Sequence, residues 1–112
     1  MNDSIVTDIE AELADLSRAL TEPGERECLR CYVLRMLHEF GCDGTLRWAK
    51  YWRDLRAPRA QALARKLAYR GGHCDCEVIF NVYPRYPQTT KLQPCAGVSR
   101  RGCTKPCALG PP

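Results

Sequence analysis

Histidine is almost missing from this chain, with His38 and His73 as its only two, and no pair of carboxylates stands in an apolar stretch. General acid–base catalysis therefore has little to draw on, and the sequence reads as that of a non-enzyme. No run approaches about 18 apolar residues, which excludes a membrane-spanning helix. The opening Met1-Asn2-Asp3-Ser4 has neither a basic n-region nor an apolar h-region, so a cytoplasmic location is expected. Acidic residues are lacking from position 82 onward. Residues 1–27 carry a net −6, residues 28–81 a net +5 and residues 82–112 another +5.

Cysteine, by contrast, is plentiful, with eight in 112 residues. A chain this short sits near the size at which a hydrophobic core alone suffices, so a metal crosslink would help it. In a reducing compartment clustered cysteines are more often metal ligands than disulfides. Two close pairs stand out, Cys28-Leu29-Arg30-Cys31 and Cys74-Asp75-Cys76. On a helix the first pair, at i and i+3, turns two sulfurs toward one ion. On an extended segment the second pair leaves on one side. Together they predict one structural Zn2+ held by Cys28, Cys31, Cys74 and Cys76. Cys42 and His73 are the substitute ligands. Cys95, Cys103 and Cys107 read as free thiols. His38 falls too far along its helix to share an ion with Cys31.

The apolar spacing predicts a mainly α fold of about four helices with one short C-terminal strand. Val6, Ile9, Leu13, Leu16 and Leu20 recur every three or four residues, giving an acidic amphipathic helix over 4–20. A helix packed on its own domain is the expected role; a weak dimer through this seam is the alternative to a monomer. Thr21-Glu22-Pro23-Gly24 breaks the chain, so residues 1–24 form helix and linker. A second helix is expected from about Glu25 to Phe40, with Leu29, Val33, Met36, Leu37 and Phe40 inward and Gly41 as its stop. The third, about 45–55, buries Trp48, Tyr51, Trp52 and Leu55. The fourth, about 58–70, buries Ala60, Leu63, Ala64 and Leu67. The β-rich run Glu77–Tyr83 is expected as the strand that closes a zinc-binding domain over 25–83. Residues 84–112, rich in Pro, Gly, Lys and Arg, are expected to be a flexible basic tail.

Three separated blocks carry a family likeness. Glu27-Cys28-Leu-Arg-Cys31-Tyr32, Gly41-Cys42-Asp43-Gly44-Thr45-Leu46 and Gly71-Gly72-His73-Cys74-Asp75-Cys76-Glu77-Val78 resemble the domain-of-unknown-function 2695 family of bacteria, mainly actinobacteria. The resemblance covers about residues 25–83 and implies a small domain with no established activity. Cys28, Cys31, Cys42, Cys74 and Cys76 fall on matching positions. An aromatic residue commonly stands there in place of His73.

The reading that results is a zinc-stabilised interaction module, adaptor or regulator, without catalysis and with a protein partner. One alternative is a nucleic-acid-binding regulator. Helices 45–55 and 58–70, followed by the strand as a wing, would present Arg47, Lys50, Arg53, Arg59 and Lys66 to phosphates. Another is a thiol-based redox or metal sensor. Four thiolates around one zinc leave no open position for substrate.

Overall fold

The computed structural model describes residues 3–83 and 95–107, and the side chains of the first helix from residue 8. Five helices follow one another: α1 (Asp3–Thr21), α2 (Leu29–Phe40), α3 (Arg47–Arg56), α4 (Leu63–Tyr69) and the short α5 (Asp75–Glu77). A π-helical segment, Val78–Val82, continues α5. No strand occurs among the described residues. None of their helices is long and apolar enough to cross a membrane.

The core forms where α2 crosses α3. Leu29, Tyr32, Val33 and Met36 from α2 meet Trp48, Ala49 and Trp52 from α3, with Leu63 and Leu67 of α4 and Val78 and Ile79 closing the far side. Tyr32 and Trp48 meet edge to face with ring centroids 6.3 Å apart, an arrangement that aromatic quadrupoles favour. The 3.6-residue spacing thus identified most of the buried face correctly. Leu55 and Phe40, expected inside, are exposed, although Phe40 lies against Trp48 at 5.4 Å.

Five expectations need correcting. First, α2 begins at Leu29 rather than near Glu25. Residues 25–26 form a tight turn, closed by the Glu27 N–H to the Gly24 carbonyl at 3.1 Å. The Glu27 carboxylate accepts the Gly24 N–H at 2.9 Å in return. Cys28 is therefore the extended N-cap of α2, not a residue inside it. Second, α4 starts at Leu63; residues 58–62 turn, with Ala60 N–H bonded to Ala57 O and Leu63 N–H to Ala60 O.

Third, residues 77–82 are helical, with Tyr83 as their cap. A single strand without a neighbour would leave its backbone groups unpaired. Here Val78 N–H reaches Cys74 O at 3.0 Å and Tyr83 N–H reaches Val78 O at 3.1 Å, an i to i+5 bond. Local pairing and burial override β propensity. Gly72 makes room for this segment: a Cβ there would stand 2.8 Å from a Val82 methyl.

Fourth, α1 does not pack its apolar stripe on the body. Ile9, Leu13, Leu16 and Leu20 are all half exposed or more, and none of the described side chains of α1 joins either hydrophobic cluster. The tail also departs from the flexible reading over residues 95–107. Val98 and Cys107 are buried there against Cys28. The remainder of the tail, 84–94 and 108–112, lies outside the described residues.

Candidate metal centre

Cys28, Cys31, Cys95 and Cys107 come together at the start of α2, with all four sulfurs within 4.8 Å of one another. Cys28 and Cys107 are buried; Cys31 and Cys95 are half-buried. Four soft donors in that space can hold a metal ion.

Each side of the site is fixed by the backbone. On the helix side, the Cys31 N–H donates to Cys28 Sγ at 3.4 Å, so the N-cap acceptor is a thiol in the place usually filled by an oxygen. On the tail side, Cys95 Sγ accepts the N–H of Cys28 and of Gly97, both at 3.3 Å. Gly97 has φ +90°, a left-handed turn that brings the chain past Arg26. Val98 N–H then donates to Arg26 O at 2.8 Å, and the Arg26 guanidinium returns a bond to Val98 O at 2.5 Å. Cys31 Sγ and Cys107 Sγ stand 3.7 Å apart.

The loop that carries Cys28 is held from several directions. Trp52 Nε1–H donates to Glu27 O at 2.9 Å. Arg35 grips the Glu27 carboxylate with two bonds, at 2.8 and 3.0 Å. Arg56 donates to the carbonyls of Pro23 and Gly24 at 2.5 and 3.0 Å. Packing of α3 on α2 thus sets the position of the ligand loop.

The electrostatics favour a thiolate in this cluster. The Cys31 side-chain hydrogen bond holds the Cys28 thiol down at about 5, against the opposing effect of burial. Cys31 moves the other way, raised by its bond to Cys28 and by burial. Arg30 lies close, with Nη1 3.9 Å from Cys31 Sγ. A cation there offsets the charge of several thiolates.

Cys74 and Cys76, the predicted partners of Cys28 and Cys31, lie elsewhere. They flank Asp75, whose carboxylate accepts the N–H groups of Trp48 and Ala49 at 2.9 and 3.1 Å. Leu46, the N-cap of α3, offers no side-chain bond, so Asp75 caps that helix from 27 residues downstream. Asp75 N–H also bonds Thr45 O at 3.0 Å. These bonds tie the Cys74–Cys76 segment to the loop after α2. Helix α2 has 12 residues and is therefore about 18 Å long. Cys28 and Cys31 stand at its start, where Cys95 and Cys107 join them in place of Cys74 and Cys76, while the Asp75 segment is bonded to the loop after its end. Of the substitute ligands, Cys42 sits with Cys74 and Cys76. His73 is exposed, with its N–H 3.3 Å from the Glu77 carboxylate.

Cys95 and Cys107 are the residues that sequence reasoning missed. Their signal was faint: Cys95-Ala-Gly and Pro-Cys107 in a stretch without periodicity. Asp75 was passed over as a spacer between two thiols. Of the predicted phosphate contacts, Arg47, Lys50, Arg59 and Lys66 are exposed. Arg47 lies over the Trp48 ring at 4.1 Å and Arg53 pairs with Asp54 at 3.0 Å. The expected wing is helical.

Comparison with known proteins adds a family without an activity. An uncharacterized protein of Mycobacterium bovis and two of Mycobacterium tuberculosis are each 41% identical to this chain over 58 residues. The match covers 52% of this chain and 59% of each relative's length. No solved structure matches. The family model described as "Protein of unknown function (DUF2695)" matches residues 29–81, a span that takes in Cys31, Cys42, Cys74 and Cys76 and stops short of Cys95 and Cys107. Residues 29–81, the segment in which Asp75 caps α3, are thus similar to the DUF2695 family of proteins of unknown function.

Proposed function

We propose that this protein is a zinc-stabilised interaction module without catalytic activity, in which one structural Zn2+ is held by Cys28, Cys31, Cys95 and Cys107. The observation that carries the reading is the gathering of four sulfurs within 4.8 Å. With Zn–S near 2.3 Å, two sulfurs of a tetrahedron stand about 3.8 Å apart. The 3.7 Å between Cys31 and Cys107 fits that spacing. The N–H bonds to Cys28 and Cys95 sulfurs are of the kind that orient thiolate ligands. A zinc with four thiolates is formally −2, and Arg26 and Arg30 beside it support that charge.

Four protein ligands close the coordination shell, so the ion would hold the fold and carry no reaction. The partner is a protein, met through α1, whose apolar stripe has no cover within the described body. The exposed Arg47, Lys50, Arg59 and Lys66 are then a solvated basic face.

Metal analysis of protein purified without chelators tests the reading. One zinc per chain should resist a mild chelator, and Cys95→Ser or Cys107→Ser should lose it. Protein that retains no metal under those conditions would refute the proposal.

A further inference from the structure

Two features stand uncovered among the described residues, and they are opposite in charge. The first is α1. Ile9, Leu13, Leu16 and Leu20 form one stripe along it, each between 50% and 60% exposed. With about 3.6 residues per turn, Glu10 and Glu12 border that stripe on its two sides. Arg18, the one cation of the helix, falls on the opposite face and is paired with Asp15. A second α1 laid along the stripe would set carboxylate against carboxylate. The stripe therefore suits a surface with cations at its rim.

The second is an open cavity of about 680 Å³ between α4 and the tail. Leu67, Val82 and Pro106 give it apolar walls, and the exposed Arg65, Arg70 and Lys105 stand around them. Tyr69 beside them is 93% exposed. No carboxylate lines the cavity. Arg65, Arg70 and Lys105 form no ion pair among the described residues. No Asp or Glu follows Glu77 in the sequence, so the tail cannot supply a counter-charge. The cavity beside Cys95 differs, because its arginines are engaged: Arg35 with Glu27, and Arg26 with Val98 O.

Resting on the reading of this protein as an interaction module that meets its partner through α1, we propose that the partner is a second copy of the chain. Two copies exchange α1, each helix laying its acid-bordered stripe in the basic cavity of the other. The stripe then covers Leu67, Val82 and Pro106, while Glu10 and Glu12 face the cations around them. Each copy gives one helix and takes one, so a twofold pair closes and no open chain of copies grows. Both α1 and the tail wall at 104–106 lie outside residues 29–81, the span matched by the family model. The four-cysteine site anchors that wall through Cys107.

Sedimentation of the full chain, with zinc content read on the same samples, tests the exchange. At low salt the protein should run at twice the chain mass and fall toward the monomer as salt screens the rim charges. Arg65→Glu with Lys105→Glu should raise the dissociation constant about tenfold or more, and so should Glu10→Lys with Glu12→Lys. All four positions are exposed, so the fold and its zinc should persist in both variants. Mixed together, the two variants should pair again, since the reversed helix meets the reversed cavity and the native helix the native one. A dimer that the cavity variant leaves intact, as two stacked α1 helices would be, or variants that fail to pair on mixing would each overturn the proposal. A monomer that holds its zinc overturns the exchange and leaves the metal reading standing; a dimer without zinc does the reverse.

Discussion

The two ends of α2 hold their cysteines in opposite ways. At its start, the thiols come from the helix cap and from a tail more than 60 residues later, and two of the four are buried. Beyond its end, three thiols come from two loops inside the family segment and face solvent or its margin. Arginines stand beside the first group and carboxylates beside the second. Chain separation, burial and charge all point the same way: the first group suits a permanent clasp, and the second lacks that enclosure.

Removing the clasp should have the largest effect. Structural zinc in small domains contributes about 10–16 kcal/mol of binding energy linked to folding. Chelation, or Cys28→Ser, should free residues 95–107 for proteolysis and lower the melting temperature by about 10 °C or more, since 1 kcal/mol is worth about 4–8 °C at this size. Calorimetry with and without chelator checks this; an unchanged melting temperature would remove the difference between the two ends.

Next comes the buried cap. Asp75→Ala leaves two N–H groups of α3 without acceptors and should cost about 2–4 kcal/mol in urea unfolding. It should loosen the Cys74–Cys76 segment and leave the ion of the four-cysteine site in place. Asp75→Asn keeps an acceptor oxygen and should cost less. Burial raises the Asp75 carboxyl above its ordinary value despite the two N–H bonds. The folded state therefore holds this proton more tightly than the unfolded one. The stabilisation is complete below about pH 4 and is lost as pH rises through the raised value. Asp75→Asn should flatten that slope.

Smaller effects separate the sites further. Trp52→Phe removes the donor to Glu27 O and should cost about 1–2 kcal/mol, loosening the loop of Cys28 without touching Cys42. Cys42→Ser, at an exposed position, should change stability by no more than about 0.5 kcal/mol. A loss several times larger would mean that the second group is structural as well.

The helical core was legible because α2 and α3 are amphipathic, and period 3.6 directly reports which side chains meet. Cys28 and Cys31 were legible as half of a site for the same local reason. Their partners were not. Cys95 and Cys107 stand in a Pro- and Gly-rich stretch whose order comes from contacts with Arg26 and Cys28, which no local pattern records. The run Glu77–Tyr83 misled through its β-branched residues, because a strand needs a neighbour and this one has none among the described residues. Asp75 was hidden by distance: a cap is recognised when it precedes its helix, and this one follows α3 by about five turns' worth of chain.

The long loop closed by the four cysteines also has a place in time. Cys31 leaves the ribosome 76 residues ahead of Cys107, a delay of about 4–15 s at common rates of synthesis. The family segment, with its Asp75 cap and its three loop thiols, is complete before either tail cysteine has been made. Cys28 and Cys31 therefore wait on a finished segment for Cys95 and Cys107, so the four-cysteine clasp would be the last part of the described fold to close.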